Sequence, residues 1–137
     1  MNKENTQRLL TEFPELYGGY YKEPTETAMC WGFECGDGWF DLIYKLSMDI
    51  KKHCDLKGST IPTVFQVKEK FGGLRYYVSS SDDTIRDLID KAEAESYKTC
   101  DICSLLGKPS GQGWIRTRCE RHVEKYTPPI SKDKDEG

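Results

Sequence analysis

Long hydrophobic runs are missing from the sequence, and so are the features of a signal peptide. No stretch approaches the roughly 20 apolar residues of a membrane-spanning helix, and the start, MNKENTQRLL, has neither the basic nor the apolar region of a secretory leader. We therefore expect a cytoplasmic protein with no membrane partner and with reduced cysteines.

A strong excess of basic charge is also missing. Lysine and arginine number 20 against 23 acidic residues, which gives a net charge of −3 at pH 7. A protein whose main role is to coat nucleic acid usually carries a basic domain, so this class is disfavoured. The overall balance does not exclude a local basic patch.

Catalytic sequence motifs are absent as well. The chain has no P-loop, no dinucleotide-binding glycine motif, no nucleophile elbow, no HExxH pair and no zinc deaminase signature. Paired acidic residues such as Asp82 and Asp83 are most simply helix caps. The sequence therefore leaves enzymatic activity open but gives it no support, and we favour a protein without one.

Hydrophobic residues are few for a chain of this size. They make up 36% of the 137 residues, against 31% charged, so we expect a modest core. A bound metal would add its binding free energy to the free energy of folding. We predict an α+β domain over residues 1–98, a structural zinc module packed on it over 99–126, and a disordered tail over 127–137.

Apolar periodicity predicts three helices in the α+β domain. A short first helix covers 5–13, a second, amphipathic helix ends near Gly58, and a third has a clean apolar stripe. The candidate first residues are Asn5 or Thr6 for the first helix, Asp37 or Gly38 for the second, and Ser81, Asp82 or Asp83 for the third.

Between the second and third helices the pattern changes to the alternation that is typical of β-strands. The stretch VFQVKEKFGGLRYYV predicts a β-hairpin that turns at Gly72 and Gly73. Alternation places Phe65 and Val67 together on one face of the first strand. Arg75 follows the turn closely, so we expect its side chain to be exposed.

Three of the six cysteines and one of the two histidines fall in CDICSLLGKPSGQGWIRTRCERH, residues 100–122. A C-x2-C pair and a C-x2-H pair, separated by fifteen residues, have the spacing of a zinc site. Four protein ligands close the coordination shell, so Zn²⁺ is expected to be structural. A glycine-rich gap and a strand over 114–117 favour a treble-clef-like or ribbon-like module. The predicted ligands are Cys100, Cys103, Cys119 and His122.

The remaining cysteines and the other histidine form a weaker candidate. Cys30, Cys35, His53 and Cys54 could make a second metal site, but adjacent residues point about 100° apart on a helix. Buried or half-buried thiols are the simpler interpretation. Cys35 precedes a helix whose dipole would lower the pKa of its thiol, yet His53 lies too far along that helix to act as its base.

Nine of the sixteen aromatic residues lie between positions 13 and 44. Trp39 and Phe40 follow the helical periodicity and are expected in the core. The others include rings in an irregular, glycine-containing segment, where exposed aromatics would form a contact surface for a protein partner. The predicted partner contacts are Tyr20, Tyr21 and Trp31.

A mild basic excess lies around the predicted zinc site. Residues 98–126 hold six basic and three acidic side chains, a formal charge of +3, which falls to +2 when three thiolates and a zinc ion are counted. Such a face could contact phosphate, although a solvated face is the more common role. The candidate phosphate contacts are Arg75, Arg116, Arg118 and Arg121.

Several motifs together resemble a family of small uncharacterised proteins from phages, prophages and bacteria. The motifs are CGDGWFDLI, FQVKEKFGGLRYYV, and SxxxCxxC followed by GWIRTxCxxH, and they run from Cys35 to His122. All four predicted ligands fit the family pattern, while Ser104 stands where many members carry glycine. The resemblance implies a protein that binds a component of the host cell.

We therefore expect a non-enzymatic, zinc-containing binding protein of the phage type. It would dock on a host protein, such as an anti-phage defence protein, and modulate or inhibit it. The first alternative is a nucleic-acid-binding zinc module, whose binding would fall steeply with salt. The second is a nucleotide or small-molecule binder, or an enzyme acting on one, with its pocket formed by the hairpin and the aromatic segment.

Overall fold

Helices and strands are mixed along the chain in the computed structural model, which describes residues 1–111 and 113–123. The elements are α1 (Lys3–Glu12), β1 (Phe33–Glu34), α2 (Phe40–Lys57), β2 (Val64–Lys70), β3 (Gly73–Val78), α3 (Asp83–Ser96), β4 (Lys108–Ser110) and β5 (Arg116–Arg118). This order confirms the predicted α+β class. The predicted tail, 127–137, lies outside the described residues.

The main sheet has three strands in the order β1-β2-β3. Strands β2 and β3 pair in antiparallel fashion, which confirms the predicted hairpin, while β1 pairs in parallel with β2 through Phe33 and Val67. Strand β1 was not predicted, because two residues are too few to show alternation. The rest of the irregular segment forms 3₁₀ turns at Gly18–Tyr21, Ala28–Trp31 and Asp37–Trp39.

The turn of the hairpin lies one residue earlier than predicted. Phe71 and Gly72 occupy it, with φ of 55° and 85°, and Gly73 already pairs with Lys70 in the sheet. Two positive φ angles are typical of the type I′ turns that suit the twist of a hairpin. Gly73 is instead required by packing, because a Cβ there would overlap the ring of Tyr97.

The predicted face of β2 was wrong at its first residues. Val64 and Val67 are fully buried, while Phe65 is 42% exposed. The register with β3 shifts between Val64 and Gln66, so Phe65 is the extra residue of a β-bulge. Because a bulge adds one residue to a strand, simple alternation no longer tells which side chains face the core.

The ends of the helices follow the predicted signals, with two corrections. The side chain of Asn2, not of Asn5 or Thr6, caps α1. Helix α2 begins at Phe40 after Trp39, not at Asp37 or Gly38, because these two residues lie in the preceding 3₁₀ turn. Gly58 ends α2 in the left-handed conformation, and Asp82 caps α3, both as predicted. Within the described part of the chain, no helix is long and apolar enough to cross a bilayer.

The core lies between the sheet and the helices and contains a small polar network. The Tyr17 hydroxyl lies 2.6 Å from Ser47 Oγ and 2.8 Å from the Tyr76 hydroxyl, and all three groups are buried. Burial raises the pKa of both tyrosines, so they stay neutral. Trp39 and Phe40 are buried, as predicted.

Asp82 joins α2 to α3, and its removal is expected to lower the melting temperature. One carboxylate oxygen accepts from the Ile85 N–H at the start of α3, and the other lies 2.8 Å from His53 Nε2 and 2.9 Å from Lys57 Nζ. We expect Asp82→Ala to lose the cap and both contacts, whereas Asp82→Asn keeps a good cap. Thermal unfolding should therefore rank wild type, Asp82→Asn and Asp82→Ala in falling order.

The same carboxylate gives the stability a defined dependence on pH. The hydrogen bond from His53, then those from the Ile85 N–H and from Lys57, hold the pKa of Asp82 well below its ordinary value. A lowered pKa contributes stability above the unfolded pKa of about 3.9, and this contribution is lost as the pH falls towards the folded value. Asp82→Asn should flatten the acid limb of stability against pH, and an unchanged acid limb would contradict this role.

Candidate metal centre

The four predicted metal ligands come together in the folded chain. One potential ligand atom from each of Cys100, Cys103, Cys119 and His122 lies within 4.8 Å of all the others. The Cys103 and Cys119 sulfurs are 3.5 Å apart, and His122 Nδ1 lies 3.3 Å from the Cys119 sulfur and 3.6 Å from that of Cys100. The spacing in the sequence therefore predicted the cluster correctly.

These separations match the edges of a tetrahedral metal site. Bonds of about 2.3 Å to sulfur and about 2.0–2.1 Å to nitrogen give edges of about 3.8 Å between sulfurs and about 3.6 Å between sulfur and nitrogen. A disulfide would instead bring two sulfurs to about 2.05 Å, and all six cysteines are free. The side chains are thus placed to hold one ion in a closed shell of four protein ligands.

The first pair of ligands is held by a tight loop. The Cys100 N–H donates to the Leu105 carbonyl at 2.8 Å, and the Ser104 N–H donates to the Cys100 carbonyl at 3.1 Å. Ser104 closes this loop with a φ of 72°, in the left-handed region that favours glycine. Its hydroxyl donates to the Gly38 carbonyl at 2.6 Å, a contact that glycine at this position would not make.

The second pair of ligands follows a short hairpin. Strands β4 and β5 pair in antiparallel fashion, and β5 lies within one or two residues of the predicted strand. Cys119 comes directly after β5, and its carbonyl accepts from the N–H groups of His122 and Val123, which forms a helical turn. A ligand loop, a hairpin and a helical turn in this order are the parts of the predicted treble-clef-like module.

The backbone around the cluster stabilises the thiolate that a metal needs. Burial raises the pKa of the Cys100 thiol, but the N–H groups of Cys119, Cys103 and Ile102 donate to its sulfur and lower the pKa to about 6. The thiolate, not the thiol, is the form that binds metal. The fold itself therefore favours the thiolate form of Cys100.

The loop that carries Cys100 and Cys103, the first ligand loop, packs against the CGDGW segment of the core. The Gly38 N–H donates to the Asp101 carbonyl at 3.0 Å, and the Trp39 indole donates to the Thr99 carbonyl at 2.8 Å. A Cβ at Gly36 would overlap the Asp101 carbonyl, and one at Gly38 would overlap the backbone of the same loop. These glycines are needed for the close approach of two backbones, so the segment has a structural role.

Asp101 is buried between the first ligand loop and the two hairpins. Its side chain is only 2–3% exposed and accepts from Arg118 Nε at 3.0 Å, while its N–H donates to the Thr117 carbonyl. Arg116 lies 3.1 Å from the Glu69 carboxylate and 3.9 Å from that of Asp101. A buried carboxylate needs such partners, because an unpaired charge in the interior is costly.

Three of the four arginines proposed as phosphate contacts are engaged inside the protein. Arg116 and Arg118 pair with carboxylates at the module, and Arg75 lies 3.2 Å from Glu93 and 3.3 Å from the Tyr97 hydroxyl. Arg75 is half-buried, so its expected exposure was wrong, because α3 packs over β3 at this position. Arg121 is exposed.

The other cysteines do not form a second site. Within residues 1–111 and 113–123, the cluster described above is the one group of three or more ligating side chains. Cys54 is fully buried and Cys30 is half-buried. Burial raises the pKa of Cys35 to about 12, so the predicted lowering by the helix dipole was wrong, and His53 is committed to Asp82.

The aromatic segment exposes two of its three predicted contact residues. Tyr21 is 73% exposed and Trp31 is 65% exposed, while Tyr20 is half-buried and packs edge-on against Tyr21 with ring centroids 5.2 Å apart. Among the described residues, four other exposed rings were not singled out as contacts from the sequence: Phe65, Phe71, Tyr77 and Trp114. Phe71 in the β2–β3 turn and Trp114 before β5 are the most exposed of the four, and a phenylalanine beside two glycines was the only signal for Phe71.

A groove of about 490 Å³ lies between α2 and α3, with Leu42, Leu88 and Thr99 among its lining residues. It does not involve the hairpin or the aromatic segment, where the sequence placed a pocket.

Comparison with known proteins adds no activity: no protein-family model, curated protein or solved structure matches the chain.

Loss of one ligand should empty the centre and destabilise the module. We expect Cys103→Ser to bind metal much more weakly and to lower the melting temperature, since a water molecule would have to replace the lost thiolate in the tetrahedral shell. Metal content by mass spectrometry and thermal unfolding measure both effects. Cys30→Ser is the matched control and should change neither, whereas full metal content in Cys103→Ser would disprove the ligand assignment.

Proposed function

We propose that the bound metal is structural zinc and that the protein is a non-enzymatic binding protein of the phage type. It docks on a host protein, such as an anti-phage defence protein, and modulates or inhibits it. The observation that carries this proposal is the pair of exposed rings, Tyr21 and Trp31, on a segment held by the core.

Zinc is the metal that three thiolates and one imidazole favour in tetrahedral geometry. A closed shell leaves no position for water or substrate, so the ion supports the fold and does not act on a ligand. Enzymatic activity, which the sequence leaves open, has little support, because Cys35 is buried with a raised pKa and His53 is held by Asp82. These observations favour binding over catalysis.

The exposed rings stand on a well-anchored platform. The Thr27 hydroxyl accepts from the Met29 N–H at 3.0 Å and donates to the Phe65 carbonyl at 2.9 Å, which ties the second 3₁₀ turn to β2. Met29 is fully buried, and Gly19 of the first 3₁₀ turn packs against it. Since the backbone is fixed before a partner arrives, binding would lose little conformational entropy.

Tyrosine and tryptophan are frequent among the residues that dominate protein interfaces. Neither Tyr21 nor Trp31 contributes to the core, so their exposure has no explanation in folding. The resemblance to phage and prophage proteins favours a partner from the host. The reduced thiols favour the cytoplasm as the compartment. The groove between α2 and α3 supports the small-molecule alternative as the second candidate.

Affinity capture with paired variants tests the proposal. Tagged wild-type protein should retain one bacterial protein in stoichiometric amount after nuclease treatment. A Tyr21→Ala/Trp31→Ala double variant should lose it, because removal of two interface rings typically costs several kcal/mol, about 2 or more for each dominant residue. Trp114→Ala, which removes an exposed ring elsewhere, is the matched control and should retain the partner.

The double variant must first show wild-type zinc content and melting temperature, so that a loss of capture reports on the surface alone. Equal capture by the wild type and the double variant would remove this surface from the interface. Release of every captured protein by nuclease would contradict a direct protein partner.

A further inference from the structure

The turn of the β2–β3 hairpin packs against β5 and the residue before it, and the two segments form one junction. The Thr117 hydroxyl of β5 donates to the Gly72 carbonyl in the β2–β3 turn at 2.5 Å. A Cβ at Gly72 would lie 3.2 Å from the Ile115 side chain, so the two segments are in close contact. Phe71 and Trp114 are the chain neighbours of Gly72 and Ile115, which places both residues at this junction.

Phe71 adopts a backbone conformation that its residue type disfavours. Its φ of 55° lies in the left-handed region, where a bulky side chain is an outlier and where asparagine or glycine is usual in a type I′ turn. Packing does not explain the choice, because the residue is 60% exposed. A strained and exposed ring is typical of a site that is used for binding.

Trp114 is the second ring at the junction and is 71% exposed. A cation lies beside each ring: the Arg116 guanidinium is 5.6 Å from the Trp114 ring centroid, and Lys70 Nζ is 5.6 Å from that of Phe71. The surface thus combines two exposed aromatic rings with positive charge, although Arg116 also pairs with Glu69.

Positive charge is concentrated in the segments that form this junction. Residues 68–75 and 98–123 hold eight basic and three acidic side chains, a formal charge of +5. Because the net charge of the whole chain is −3, the remaining residues carry a formal charge of −8. Three thiolates and a zinc ion reduce the local charge to +4. The exposed basic residues among them include Lys70, Lys108 and Arg121.

We propose that this junction binds single-stranded nucleic acid, with Phe71 and Trp114 stacking on unpaired bases and Lys70 contacting phosphate. Bases of a single strand are free to stack on aromatic rings, whereas those of a duplex are already stacked. The site uses other residues than the Tyr21 and Trp31 surface and does not depend on it. Its main arginines are committed to carboxylates, so stacking supplies much of the affinity.

The test measures fluorescence anisotropy of labelled oligothymidylate and oligouridylate of about 20 nucleotides with the zinc-loaded full chain at about 50 mM salt. Phe71→Asn should weaken binding by about 5- to 150-fold, the range expected for loss of one stacked base. Because asparagine tolerates positive φ, the same variant should be at least as stable as the wild type. A purely structural role for Phe71 would not move affinity and stability in opposite directions.

Trp114→Ala should weaken binding to a similar extent, and Lys70→Gln should reduce the steepness of the salt dependence. Trp31→Ala is the matched control and should bind as the wild type does. The proposal is overturned if neither oligonucleotide binds, if a duplex of equal length binds as tightly, or if Phe71→Asn keeps full affinity. Loss of a nuclease-resistant protein partner in Phe71→Asn and Trp114→Ala would also overturn it, since the junction would then form a protein interface.

Discussion

The contact between the first ligand loop and the CGDGW segment is the one on which the rest of the structure depends. The Cys100–Asp101 backbone approaches Gly36 and Gly38 so closely that neither glycine could carry a side chain. Trp39 follows Gly38 directly, is fully buried, and donates from its indole N–H to the Thr99 carbonyl just before Cys100. The metal ligands and the start of α2 are therefore fixed by the same few atoms, and metal binding stabilises more than the module that contains the ligands.

The residues of the sequence motifs fall into two groups, one that holds the fold together and one that is exposed. The glycines of CGDGW and the second glycine of FGGLR allow backbones and rings to approach, and Asp101 with its arginines closes the gap between the loop and the hairpins. Phe71, Trp114, Tyr21 and Trp31 make no such contribution and are exposed. Residues without a structural explanation are the ones from which we argue binding.

The ligand set and the helices could be predicted from the sequence because both depend on local spacing. The errors have a common origin in contacts between distant segments. Phe65 was placed on the same face as Val67 because a bulge does not show in a pattern of alternation. Arg75 was expected to be exposed because nothing local indicates that α3 covers it. Burial likewise outweighs the helix dipole at Cys35 and raises the pKa of its thiol.

Hydrogen–deuterium exchange with and without a metal chelator tests most directly whether the metal centre and the core form one cooperative unit. The account predicts that metal removal increases exchange in residues 98–123 and also in 33–40 and 70–76, which contact the module through Gly38, Trp39 and Gly72. An increase confined to 98–123 would contradict it, because the module would then unfold alone and leave the core unchanged.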